Sequence, residues 1–380
     1  MSTTFRNTTL VSALFALGAA PALAFVPFAK GELFVTGDLR AEYDSNIYTS
    51  SSQIDDTIFT FTPGFAFTRD VGLLKLNAST GLEIQRFVDN KRHDGENGQF
   101  NSQLLWSNEG GKTDAKANLG VNRTANANTD LNDRTVTDNY TFVGSFGHWA
   151  TEKFGFRLLT DLSSAKSVSG GYKDVRKQLI GLDGRYQSSP KLEGVFGYSF
   201  RNTGAYNGSK TTTNIRSKDH AVSAGIEGEL SGKLTGEVRA GYVYRDLTGG
   251  TIRSQSAPFA RVALNWAAAE KTTFNLAVKK DFDTSAANQS INKFDVTLTA
   301  TQQLLEKLTA TAIVGMTHSN YIGGAAGRTD DSYNGRLMLN YRFTDRCSAT
   351  AYVSGYKSTS TAAAAEFDRE TVGLSLAFKF

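Results

Sequence analysis

The 380-residue chain contains one cysteine, Cys347, which excludes an internal disulfide framework. Its five prolines leave long strands uninterrupted, and no Pro-rich or Gly/Ser-rich stretch divides it into domains. Beyond residues 10–20, no apolar run approaches the roughly 20 residues that a membrane-spanning helix needs. His93, His148, His220 and His318 lie far apart, and none pairs with another at metal-ligand spacing. Thr317-His318-Ser319-Asn320 offers the best nucleophile, but neighbours on a strand point to opposite faces, so His318 and Ser319 cannot share a proton. An enzyme, a cofactor and a resident metal are therefore not expected. A formal net charge of +4 without a concentrated basic patch argues against a nucleic-acid partner.

What the chain does have is a regular beat. Short polar turns centre near Asp70, Gly110, Thr151, Ser189, Ser231, Ala269, Leu305 and Asp345, and two alternating strands run outward from each. One hairpin with its longer connection occupies about 39 residues, so a chain beginning near Leu33 holds nine such units, or about eighteen strands. In the last of them Val372, Leu374, Leu376, Phe378 and Phe380 share one face, and Thr371, Gly373, Ser375, Ala377 and Lys379 the other. An early strand opposes Phe59, Phe61, Phe65 and Phe67 to Thr60, Thr62, Gly64, Ala66 and Thr68.

Strand number decides which face points outward. Eight strands enclose a space that side chains can fill, whereas sixteen to eighteen leave one that holds water. The polar parity must then line the interior and the apolar parity meet lipid, so the expected fold is all-β, a transmembrane antiparallel up-and-down barrel. The mean hydropathy of −0.31 does not oppose this, because alternating faces cancel in the average.

Residues 1–24 read as a secretory signal peptide, with Arg6 in a polar start, an apolar run and Ala22-Leu23-Ala24 as a small-x-small cleavage site; 25–380 form a single barrel domain. The longer, more polar connections include 44–55, 125–133, 166–174, 204–213, 284–290, 319–329 and 358–366. Outer-membrane barrels keep short turns in the periplasm and long loops outside, which puts both chain ends in the periplasm. Trp106, Trp149 and Trp266 precede short turns and suit an aromatic girdle there. No loop exceeds about a dozen residues, so a narrow lumen has to be made by the wall.

Strand parity places Arg157, Arg201, Arg239 and Arg336 inside with Glu193 and Glu237, and these are the pore-lining candidates. Facing charges of one sign would select ions, whereas acids and bases paired between neighbouring strands would only keep the wall wet. Asp44, Asp55, Asp56, Asp130 and Asp133 belong to polar connections, where solvated loop charge outweighs weak calcium binding.

Tyr43-Asp44-Ser45-Asn46-Ile47-Tyr48, followed by Asp55-Asp56-Thr57-Ile58 and Pro63-Gly64, resembles the opening of an outer-membrane β-barrel porin family of Gram-negative bacteria, often encoded beside exopolysaccharide genes. The close match covers about thirty residues and brings no catalytic or ligand role. Physically, Asp44 and Asn46 suit a turn at the rim, and Pro63-Gly64 a bend or bulge. The barrel itself points to an outer-membrane channel for passive passage of polar solutes. The alternatives are a conduit or accessory in exopolysaccharide secretion, which the resemblance favours, or a structural or adhesive barrel. Leu376, Phe378 and the terminal Phe380 look like the signal read by the outer-membrane assembly machinery. The other expected partners are the lipid and lipopolysaccharide of that membrane and, under the second reading, a polysaccharide.

Overall fold

Hydrogen bonding joins all the long strands into one closed ring. The computed structural model describes residues 26–28, 30–108, 110–169, 171–206, 215–249, 254–322 and 327–380, so the expected signal peptide and its cleavage site lie outside the described residues. In chain order the strands are β1 (Val26–Phe28), β2 (Gly31–Asp44), β3 (Asp56–Val71), β4 (Leu74–Phe87), β5 (Gly95–Ser107), β6 (Thr113–Asn128), β7 (Asp133–Trp149), β8 (Phe154–Ser167), β9 (Asp174–Ser189), β10 (Leu192–Tyr206), β11 (Arg216–Ser231), β12 (Leu234–Thr248), β13 (Ser254–Ala269), β14 (Thr272–Ser285), β15 (Gln289–Leu305), β16 (Leu308–Ile322), β17 (Thr329–Thr344), β18 (Cys347–Ser360) and β19 (Phe367–Lys379). Each of β2 to β18 pairs antiparallel with its successor, and β19 returns to β2 from Thr371↔Asp44 to Lys379↔Thr36. That is the eighteen-stranded barrel the interval predicts, with all eight short turns at the expected places and β1 a short addition to β2.

The two parities separate as a lipid-facing wall requires. Phe59 (51%), Ile180 (64%), Phe196 (63%) and Val372 (55%) stand exposed on the outer face, where a water-soluble barrel would carry polar groups. Register shifts within the ladders occur only beside short turns, as between Glu229 and Ser231, so parity holds along each strand as far as its ladders run. The predicted bulge at Pro63-Gly64 does not form. β3 keeps its register to β4 on both sides of Thr62 and Pro63 and merely skips those two partners, because Pro63 has no N–H to donate. Gly64 is required there, since a Cβ would lie 2.3 Å from the Thr80 carbonyl.

Two ladders end early, each in the half of the barrel that carries the longer connections. β5 and β6 part beyond Gln99↔Asn122, and β13 and β14 part beyond Ala260↔Lys280. Continued, the second ladder would set Pro258 opposite Phe282, and a proline has no N–H for it. The freed end of β14 turns inward instead. Phe282, on the parity that faces lipid lower in the strand, packs at 4% exposure against Val243, Ala257 and Ala221 of the inner wall.

Candidate functional site

The functional space is the lumen, and charge fills one side of it. Arg157 on β8 bonds both oxygens of Glu227 on β11 at 2.7 Å and reaches Asp183 on β9 at 3.3 Å. Arg239 on β12 reaches back to Asp183 at 2.8 and 3.1 Å and holds Glu237 at 2.6 Å. Toward the mouth, Arg201 on β10 grips Asp281 on β14 through two bonds of 2.6 and 2.9 Å and Asp219 at 2.7 Å. Asp219 is in turn clasped by Arg245, which is fully buried and also donates to the Asp283 carbonyl and the Ser290 hydroxyl. Contacts between strands three and four apart are chords across the inside of a curved wall. They fix these side chains in the lumen and tie the β8–β14 arc into a tight curve.

Of the pore-lining candidates, Arg157, Arg239 and Glu237 thus join one network of alternating sign, and Arg201 centres a second, with Asp219, Asp281 and Arg245. Glu193 belongs to a separate pair, holding Arg185 through bonds of 2.8 and 2.9 Å. Arg336 stands apart on β17, its guanidinium 4.2 Å over the ring of Tyr352, whose hydroxyl donates to Glu42. Beside the network the wall carries a neutral patch. Asn77, Ser79, Asn101, Gln103, Asn118 and Thr141 border a cavity of about 450 Å³ on β4–β7. On the charged side, cavities of about 510 and 420 Å³ share Leu159, Asp161, Leu179, Glu237, Arg239 and Arg261, and so form one continuous space.

Contrary to the expectation from loop length, connections do cover the outer mouth. Strands β6 and β7 outlast their neighbours, and their hairpin tip folds across the opening. Tyr321 on β16 donates to Asp130 at 2.7 Å, and Arg328 donates to the Asp130 carbonyl at 3.1 Å. Asn132 donates to the Thr49 carbonyl at 2.9 Å, and Arg134 stacks 4.7 Å over Phe87. The β14–β15 tip leans in from another side: the Ala286 carbonyl accepts from Lys173 N–H at 3.0 Å, and Asn288 Oδ1 accepts from Ile215 N–H at 2.9 Å. Burial raises the Asp130 carboxyl above the ordinary carboxylate range. Burial and the bond to Asp133 push the Tyr172 hydroxyl up to about 12, so it remains a donor.

The loop carboxylates serve as ties. Asp44 accepts from Arg369 at 2.8 and 2.9 Å and from Asn46 N–H at 3.0 Å, making the expected rim turn, and Asp56 caps the N–H groups of Val88, Asp89 and Asn90. No three His, Cys, Asp or Glu side chains among the described residues converge on a possible metal position. His318 pairs with Asp331 at 2.7 Å while Ser319 is buried, in keeping with opposite faces. The girdle expectation holds by parity for Trp106 and Trp266 but not for Trp149. The ring of Trp149 takes the lumenal Arg185 guanidinium at 4.4 Å, because it shares the parity of Gly147 and Ser145 rather than that of Phe142 and Phe146. Leu376 and Phe378 share the outward parity of Val372 and Leu374, and Phe380 exchanges two backbone bonds of 2.9 Å with Val35.

A family model described as "Putative beta-barrel porin 2" matches residues 33–380. No curated protein matches the chain. Its fold is similar to that of OccK2 (OpdF) of Pseudomonas aeruginosa in complex with glucuronate, with a TM-score of 0.50 and 10% identity over 94% of this chain and 100% of that one. OpdK of the same organism with vanillate gives 0.47 and 10% over 92% and 98%, and OccAB4 of Acinetobacter baumannii gives 0.47 and 10% over 92% and 98%. At such identity the likeness speaks for the fold alone.

Proposed function

The chain belongs to that porin family, and we propose that it lets small polar solutes diffuse passively across the outer membrane. It is a porin-like, multi-pass barrel of that membrane, and the finer reading concerns what crosses it and how the passage is restricted. The carrying observation is the continuous lumenal space, walled by paired charge on the β8–β14 arc and by amide and hydroxyl groups on the β4–β7 arc. Such walls exchange hydrogen bonds with a passing polar solute and offer little to an apolar one. Because most acids and bases on the charged arc are paired with one another, they give the lumen weak overall ion preference. The two hairpin tips over the mouth make the passage narrow.

Planar-bilayer recording from the refolded barrel tests this. Small discrete conductance steps with a reversal potential near zero in a salt gradient are expected. A folded, inserted barrel that never conducts would overturn the reading and leave a structural, adhesive or secretion-accessory role.

A further inference from the structure

Within the charged arc two cations have been left over, and they stand side by side. Arg239, Arg261 and Lys279 are direct partners in the β12–β13 and β13–β14 ladders, so three positive groups line up at one level on the inward face. Like charges directly opposite each other destabilise a sheet unless something neutralises them. Arg239 is neutralised by Asp183, Glu227 and Glu237. Arg261 has only a share of Glu237: its Nε lies 3.4 Å from the Glu237 oxygen that Arg239 leaves free, it donates no hydrogen bond among the described residues, and its side chain is 63% exposed to the lumen.

Lys279 is exposed as well and forms no ion pair or hydrogen bond among the described residues. The carboxylates that could have taken it are engaged. Asp295, its partner on β15, holds Lys293 at 3.4 Å and the Thr317 hydroxyl at 2.8 Å. Asp281, two residues along on the same face, is gripped by Arg201. Arg261 and Lys279 both border the cavity of about 510 Å³, beside Phe259, Ala263, Ala277 and Val243.

We propose that Arg261 and Lys279 form a binding subsite for a small organic monocarboxylate, with the carboxylate between the two cations and an apolar body against Phe259 and the neighbouring alanines. A guanidinium fork matches the two oxygens of a carboxylate, and the ammonium adds a second charge-assisted bond. Glu237, Asp281 and Asp295 nearby disfavour a dianion, which makes one negative charge the better fit. As a waypoint for permeating solute the subsite rests on the channel reading; as a binding site it does not.

Calorimetric titration of the folded barrel in non-ionic detergent separates the two. Benzoate should bind saturably, its uncharged isostere benzamide should not, and inorganic phosphate should bind more weakly than benzoate. Arg261→Gln with Lys279→Gln should weaken benzoate about tenfold or more, and Arg261→Lys should keep part of the affinity. Heat-modifiable gel mobility confirms that each variant is folded. Unchanged benzoate affinity in the double variant, benzamide binding as tightly as benzoate, or no saturable benzoate binding would each overturn the subsite. A wild-type barrel that binds benzoate but never conducts would overturn the channel reading and leave the subsite standing.

Discussion

The hydroxyl of Tyr321 on β16 donates a 2.7 Å hydrogen bond to Asp130, although the hairpin carrying Asp130 rises from β6 and β7, nearly halfway around the eighteen-stranded ring. A contact between opposite walls can only be made across the opening. With Arg328 on the Asp130 carbonyl, it latches the hairpin tip over the outer mouth.

Tyr321→Phe removes the donor, and the mean open conductance should rise while the folded fraction is unchanged. The latch should also respond to pH. Burial raises the Asp130 carboxyl, so the latched state favours the protonated form; its stability is full below the ordinary carboxylate range and is lost as pH rises through the raised value. Open probability should therefore fall as pH is lowered from neutral toward 4. Asp130→Asn, which imitates the protonated group, should remain at the low-pH behaviour throughout. A flat wild-type profile sinks this account.

Arg201 ties two aspartates, one of them on a strand four positions away. Arg201→Gln leaves Asp281 without its counter-charge, and loss of one partner of a buried pair costs about 3 kcal/mol. Urea unfolding in lipid vesicles should show that loss, and the reversal potential should move toward cation preference. Adding Asp281→Asn should restore much of the stability and most of the selectivity. Equal stability of the single and double variants would contradict the pairing.

The tryptophans divide by face. In single-tryptophan variants, brominated lipid should quench Trp106 and Trp266 strongly and Trp149 weakly, whereas an aqueous quencher entering the lumen should reach Trp149. Strong lipid quenching of Trp149 would put it back in the girdle.

Phe380 closes the last strand against Val35 and is the proposed assembly signal. Phe380→Ala should lower the amount of heat-modifiable barrel in the membrane far more than Lys112→Ala in an exposed short turn. Equal amounts would remove Phe380 from that role.

Strand number, turn positions and the two faces were legible because a lipid-facing barrel writes them locally, in period-2 alternation and in polar breaks at a constant interval. Even the face of Trp149 follows from parity with Gly147. What binds the network together is not local. Arg157 meets Glu227 and Arg201 meets Asp281 across several strands, so parity reveals who faces inward but not who meets whom. The covered mouth was hidden for a related reason. Loop length alone does not set the reach, which comes from strand ends parting from a neighbour: β14 beside Pro258 for want of a donor, and β6 beyond Asn122, whose hairpin tip then meets Tyr321, 191 residues away from Asp130.

The two early-ending ladders divide the outer rim into arcs of eight strands, β6–β13, and ten, β14–β19 with β2–β5, while the periplasmic half stays fully laced. The molecule is thus a collar bearing two panels whose upper edges are joined by side-chain and loop contacts in place of strand pairing. Swinging a hairpin tip outward breaks no strand pairing with β5 or β13, because none exists there to break. A straightened β6 would gain backbone partners along the edge of β5 beyond Gln99 in exchange for the side-chain contacts of the latch. Such a trade of one set of hydrogen bonds for another is the balance on which a two-position element depends.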